Sequence, residues 1–287
     1  ADKEKICLKG TYQPNYGSTS CLAASPGNYT STNGSINQFQ CLEGTFEVDE
    51  GSNGCDLANP GHYVDQMGSS NQTPCPSGTF LPDYGADSLN DCITTPPGNY
   101  SERGWSEPQL CNWGTYQPNS SASACLPASR GHYVNTSGLT EQYSCLPGTY
   151  QPNEGSVTCW ESQSGHYVNA TGSTEQTPCP SGTYQPNYSS TECIITTPGN
   201  SSGIGYSTPS SCHRGTYQPY SNMSYCYDAG FGFYVDQTQS LVKYQCPMGQ
   251  STVSNTSRGV EDCEDSAVGN YVPIQGGPET QCEPGTY

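Results

Sequence analysis

The chain is short of the residues that build a hydrophobic core. Leu, Ile, Val and Phe together number 34 of 287 residues, a share typical of chains that do not fold on burial alone. That scarcity excludes the one or two ordinary globular domains that the length would suggest. Basic residues are scarce too. Only 8 Lys and Arg stand against 26 Asp and Glu, a net charge of −18, which excludes nucleic acid as a partner and disfavours anionic membrane surfaces. No apolar run is long enough to cross a membrane, so no transmembrane segment is expected. Cys-x-x-Cys is missing, against zinc-ribbon and thioredoxin readings. So are a Gly-x-Ser-x-Gly elbow, a His-Glu-x-x-His pair and a Gly-Lys-Ser/Thr phosphate loop. The expectation is a protein that is not an enzyme, with no catalytic residue, cofactor or metal centre.

What the chain has is cysteine at regular intervals. The 17 are Cys7, Cys21, Cys41, Cys55, Cys75, Cys92, Cys111, Cys125, Cys145, Cys159, Cys179, Cys193, Cys212, Cys226, Cys246, Cys263 and Cys282. Their gaps alternate mainly between 14 and 20 residues, with 17 in place of 14 at Cys75 to Cys92 and Cys246 to Cys263. A unit of about 34 residues is therefore copied along the chain, with repeats at 1–40, 41–74, 75–110, 111–144, 145–178, 179–211, 212–245 and 246–281 and the start of a ninth at 282–287. Abundant cysteine without metal-type spacing implies an oxidising, extracellular setting, secreted or at the cell surface, where crosslinks take over from a missing core. The fold class expected is small disulfide-rich repeats. They would form an elongated rod of tandem modules, mostly loop with short β-strands and no α-helical core, each unit touching only its neighbours.

Each unit has two halves. The first reads Cys-x-x-Gly-Thr-Tyr-Gln-Pro-Asn, a polar stretch and Cys, as in Cys145 to Cys159. The second reads Cys, a spacer, Gly-x-Tyr-Val, a turn, then Gln-x-x-Cys, as in Cys159 to Cys179. Both halves share Gly-x-aromatic, from Tyr12 and Tyr29 to Tyr271 and Tyr287, so the unit derives from a shorter doubled element; Ser201 and Ser251 interrupt the series. The Gly permits a tight turn, and the ring is expected to pack on the nearby disulfide as a miniature core. A longer period lies on top. Tyr63-Val64-Asp65-Gln66 returns as Tyr234-Val235-Asp236-Gln237, 171 residues on, which is five units.

Spacing alone leaves the disulfide pairing open. Either the shorter loops close and Cys282 is left over, or the longer loops close and Cys7 is left over. Cys-x-x-Gly-x-Tyr, with a second cysteine about fourteen residues after the first, resembles the single-disulfide module of tumour-necrosis-factor-receptor cysteine-rich domains. It also resembles the ephrin-receptor-like repeats of many surface proteins. Similar repeats occur in protist and algal surface proteins, mastigoneme-type proteins among them. The resemblance implies the shorter loops: Cys7–Cys21, Cys41–Cys55, Cys75–Cys92, Cys111–Cys125, Cys145–Cys159, Cys179–Cys193, Cys212–Cys226 and Cys246–Cys263. This chain departs from those families in spacing its cysteines more widely.

Asn-x-Ser/Thr sequons stand at Asn28, Asn33, Asn71, Asn99, Asn119, Asn135, Asn169, Asn187, Asn200, Asn222 and Asn255. Several recur at matching places in the unit, so N-linked glycans in rows are expected. His62, His132 and His166 share one slot and read as surface or packing positions. The acidic groups Asp83, Asp87 and Asp91, and Glu261, Asp262, Glu264 and Asp265, lack a calcium-loop pattern and read as exposed, repulsive charge. The opening Ala1-Asp2-Lys3-Glu4-Lys5 suits a mature end left by signal cleavage. The closing Cys282-Glu283-Pro284-Gly285-Thr286-Tyr287 stops within a motif, to be completed by further residues or by another chain. The function expected is a structural subunit of an extracellular, glycosylated filament, surface hair or fibre, with self-association into a filament or lateral array. The alternative is the stalk or ligand-binding ectodomain of a receptor or adhesin, for which the irregular units around Trp105 and Phe231-Gly232-Phe233 are the candidates.

Overall fold

The computed structural model describes residues 5–285. The first four residues of the expected mature end, and Thr286 and Tyr287 with the last aromatic of the series, lie outside the described residues. Contacts group the chain into two compact units. One runs to Ser129 and takes in Tyr133–Tyr143 and Glu154–Val157; the other comprises Arg130–His132, Ser144–Asn153 and the chain from Thr158 on.

The first unit is a series of antiparallel hairpins with two-residue strands. Thr11–Tyr12 pairs with Leu22–Ala23, Asn28–Tyr29 with Phe39–Gln40, Thr45–Phe46 with Asp56–Leu57 and His62–Tyr63 with Thr73–Pro74. Thr79–Phe80 with Ile93–Thr94, Asn99–Tyr100 with Gln109–Leu110 and Thr115–Tyr116 with Leu126–Pro127 continue it. Proline limits the strands: Pro14 and Pro118, two residues beyond the tyrosine, have no N–H to extend the ladder. No α-helix occurs among the described residues. Each long, 17-residue loop adds one turn of 3-10 helix before its second cysteine, Leu89–Asp91 in this unit and Val260–Asp262 in the other.

Disulfides close alternate hairpins. They are Cys7–Cys21, Cys41–Cys55, Cys75–Cys92 and Cys111–Cys125 in the first unit. Cys145–Cys159, Cys179–Cys193, Cys212–Cys226 and Cys246–Cys263 follow in the second. These are the shorter loops, and Cys282 is unpaired. The first cysteine of each loop is buried.

The hairpins without a disulfide keep the same frame. Three residues before their Gly-x-aromatic stand Ala24, Ala58, Thr95 and Ala128, each at 0 % exposure where the other hairpins bury a cysteine. At such a place volume decides, and a small side chain fills the space of a half-cystine. The repeating element is thus a hairpin of about half the 34-residue unit, made in a crosslinked and an uncrosslinked form.

Stacking is done by backbone. In the first unit the N–H of Gly27 donates to Glu47 O at 2.7 Å, and Gly44 N–H to Val64 O at 2.8 Å. Gly27 also touches the hairpin after next: its φ is +79°, and a Cβ there would run into the Gly68 carbonyl. Glycine alone satisfies both conditions.

The second unit repeats the scheme. Thr149–Tyr150 pairs with Trp160–Glu161, His166–Tyr167 with Thr177–Pro178, Thr183–Tyr184 with Ile194–Ile195 and Asn200–Ser201 with Ser210–Ser211. Thr216–Tyr217 with Tyr227–Asp228 and Phe233–Tyr234 with Tyr244–Gln245 follow. Ser162, Thr196 and Ala229 are its buried small residues. Gly131 N–H donates to Gln151 O at 2.8 Å, and a Cβ on Gly131 would meet the Gly172 carbonyl.

The aromatic of Gly-x-aromatic is half-buried, and exposed at Tyr271, rather than the centre of a core. The residue after it is the buried one, for example Val64, Val134, Val168 and Val235. The rings instead stack across the strand pair, as in Tyr29–Phe39 at 6.0 Å and Tyr150–Trp160 at 5.9 Å between centroids. Ring against disulfide occurs at Cys75–Cys92, where Tyr63 packs on a small cluster with Leu81 and Ala86.

Candidate functional site

Each motif residue has a task within its hairpin. The Thr of Gly-Thr-Tyr turns back on the preceding chain: Thr11 and Thr149 donate their hydroxyls to Leu8 O and Leu146 O at 2.7 Å. The Gln of Tyr-Gln-Pro ties the loop to itself. Gln151, 2 % exposed, donates from Nε2 to Thr158 O at 2.7 Å and accepts from Asn153 N at 3.0 Å. Gln117, Gln185 and Gln218 make the same pair of bonds. Buried amides with both ends satisfied are worth keeping, because a vacated partner would cost about 1–3 kcal/mol.

The sequence alone assigns no task to a second glutamine. Gln38, Gln72, Gln142 and Gln176 accept the N–H of Ser25, Asn59, Ser129 and Gln163 at 2.7–2.8 Å. Each stands 14 residues after the buried small residue, as Cys21 stands 14 after Cys7. The amide is therefore a polar staple in the place of the second half-cystine. Its signal was the Gln-x-x-Cys ending of the second half. At the equivalent place Lys243 takes over, donating to Ala229 O at 2.8 Å with its ammonium 3.8 Å from the Phe233 ring centroid.

What remains outside these tasks is the exposed surface. Eight sequon asparagines are exposed: Asn33, Asn71, Asn119, Asn135, Asn169, Asn187, Asn222 and Asn255. Asn28 and Asn99 lie half-buried in strands. Asn200 is only 9 % exposed, its Nδ2 held by Thr197 Oγ1 at 3.2 Å and Pro198 O at 3.3 Å. The hairpins also expose an apolar residue opposite the aromatic, among them Leu22, Leu126, Trp160 and Ile194.

The histidines of the shared slot are pieces of their turns. The Nδ1 of His62, His132 and His166 lies 3.2, 3.0 and 3.3 Å from the carbonyls of Pro60, Arg130 and Ser164. The acidic groups stay apart from any metal-type arrangement: among the described residues no group of three or more His, Cys, Asp or Glu is placed to hold an ion. Asp91 caps its own 3-10 turn through the N–H groups of Asp87 and Ser88, and Glu261 meets Arg214 at 3.5 Å. Of the irregular units, Trp105 is half-buried with its ring 5.4 Å from Tyr100. Phe231 is exposed beside a shallow cleft with Val253, Glu264, Asp265 and Glu279. Among the described residues no helix is long and apolar enough to cross a membrane.

Residues 5–41 match the family described as tyrosine-protein kinase ephrin type A/B receptor-like. That stretch holds the first crosslinked hairpin and the uncrosslinked hairpin after it. No curated protein matches the chain. The chain is thus a tandem, cysteine-rich repeat protein with an ephrin-receptor-like module at its start, built for an oxidising compartment.

Proposed function

We propose that the chain is a structural repeat segment of an extracellular, glycosylated filament, surface hair or fibre, secreted or held at the cell surface, and that it has no catalytic role. The observation that carries this reading is the sameness of the stacking contact. In each unit the Gly-x-aromatic glycine donates to the next hairpin at 2.7–2.9 Å time after time, as at Gly10, Gly61, Gly148 and Gly182. Contacts repeated at one spacing are what a fibre or lateral lattice uses, because each copy meets an equivalent surface. Self-association is accordingly the partner expected. Exposed sequons such as Asn135 and Asn169, one 34-residue period apart in sequence, are where such a surface would carry its sugar.

Electron microscopy of native, non-reduced material tests the reading, with a reduced sample beside it. Regular fibres that disperse on reduction are expected. Discrete particles that never associate would overturn it and favour the stalk or ligand-binding ectodomain, for which exposed Phe231 and its cleft are the specific observation.

A further inference from the structure

The crosslinked hairpin closed by Cys212–Cys226 carries tyrosines where the others do not. Tyr225 and Tyr227 flank Cys226. In other crosslinked hairpins the same two places hold Ser20 and Leu22, Ala124 and Leu126, or Glu192 and Ile194. Residues two apart on extended chain project to the same face, and here the two rings meet. Their hydroxyls are 3.3 Å apart, their centroids 5.1 Å apart, and their planes at 80°. The backbone beneath is held on both sides, by the disulfide and by the pairing of Tyr217 with Tyr227. Tyr225 is 52 % exposed, so a solvent oxidant reaches it.

We propose that Tyr225 and Tyr227 form a site of oxidative tyrosine coupling, in which a haem peroxidase with hydrogen peroxide joins the two rings. Each phenol gives one electron and one proton to the oxidant and becomes a phenoxyl radical. The radicals combine through the ring carbons ortho to oxygen. Each of those carbons then passes its hydrogen to the ring's own oxygen, which restores both phenols. The pair has lost two hydrogens in all, and one hydrogen peroxide has become two waters. A preorganised pair couples within the molecule before a solitary radical meets another chain. The contact also bears on Tyr227: the hydrogen bond with Tyr225 is the first cause that holds Tyr227 above the ordinary tyrosine range, followed by its burial and by repulsion from Tyr225.

The experiment treats the folded, disulfide-bonded chain with a haem peroxidase and limiting hydrogen peroxide. Dityrosine fluorescence is read on the monomer band, and the bridged peptide is located by its loss of two hydrogens. The expected result is fluorescence in the monomer, unchanged by dilution, mapped to Tyr225 and Tyr227 and largely lost in both Tyr225→Phe and Tyr227→Phe. Intact-mass analysis under non-reducing conditions shows that the variants keep their disulfides. Tyr16→Phe, at a fully exposed and solitary tyrosine, should leave the yield as it was. Coupling that appears only in dimers, maps to Tyr16 or other tyrosines, or survives both substitutions at Tyr225 and Tyr227 would overturn the proposal, as would the absence of dityrosine.

Discussion

Gln72 accepts the backbone N–H of Asn59 at 2.7 Å from the place that a half-cystine holds in the hairpin before it. The two hairpins share one register: Thr45 faces Leu57 and Phe46 faces Asp56, as His62 faces Pro74 and Tyr63 faces Thr73. Ala58 and Gln72 therefore stand to each other as Cys41 and Cys55 do. Replacing both by cysteine should give a new disulfide without rearrangement. A bridge closing a loop of this length contributes about 3 kcal/mol in the chain-entropy model. Non-reducing intact mass and a raised melting temperature would show it; two free thiols in the folded double variant would refute the shared geometry.

Glycine at the stacking position should be far less replaceable than glycine at a free turn. Gly131 and Gly17 both have positive φ, +77° and +74°. A Cβ on Gly131 strikes the Gly172 carbonyl, whereas a Cβ on Gly17 meets nothing within 4 Å. Gly17→Ala should cost only the left-handed conformation, about 1–2 kcal/mol. Gly131→Ala should cost more and should deprotect the Cys145 amide, which donates to Gly131 O at 2.9 Å. Hydrogen exchange on both variants checks the difference.

Gln151→Val places in one hairpin the residue its neighbours use, since Val134 and Val168 occupy the same step. The apolar side chain fits the packing but leaves Thr158 O and Asn153 N without their amide partner. A loss of about 1–3 kcal/mol is expected. Denaturant unfolding measures it, and a neutral result would mean the loop does not need its tie.

Glycan occupancy should follow exposure. Glycopeptide mass spectrometry of native material should find sugar at Asn135 and Asn169, which are exposed, and little at Asn200, which is 9 % exposed with its amide engaged. Occupancy of Asn200 equal to theirs would show that this turn forms late, after the acceptor has been modified.

Tyr227 should ionise later than an ordinary tyrosine, whose pKa is about 10, because of its hydrogen bond with Tyr225. Its folded pKa is raised, so the folded form keeps its proton when the unfolded one has lost it. The stability linked to that proton is present below the unfolded pKa and is lost as pH rises through the folded one. In ultraviolet titration, Tyr225→Phe should remove the latest-ionising component.

Much of this is legible in the sequence. The alternating cysteine gaps mark the 34-residue period, and the recurring Gly-x-aromatic marks the doubled element inside it. The equivalence of the two halves was harder to see, because Cys41 and Ala58 share no chemistry and only volume counts where both are at 0 % exposure. Tyrosine is the obvious large ring of the motif, yet Tyr133 is half-buried and the Val134 beside it is wholly enclosed. A two-residue strand has one inward side chain, and a smooth aliphatic or a self-satisfied glutamine fits there better than a phenol that needs a partner. The pairing of Tyr225 with Tyr227 depends on where two side chains point, which spacing does not give.

The reach of the stacking glycines, such as Gly10 and Gly27, to the hairpin after next gives the chain a parity. Gly10 meets Gly51 and Gly27 meets Gly68, so through these contacts crosslinked hairpins reach crosslinked ones and uncrosslinked hairpins reach uncrosslinked ones. Losing or gaining one hairpin would set a crosslinked hairpin against an uncrosslinked one at these contacts and break the alternation beyond the junction within that unit. Length changes that keep the alternation therefore come in pairs of hairpins.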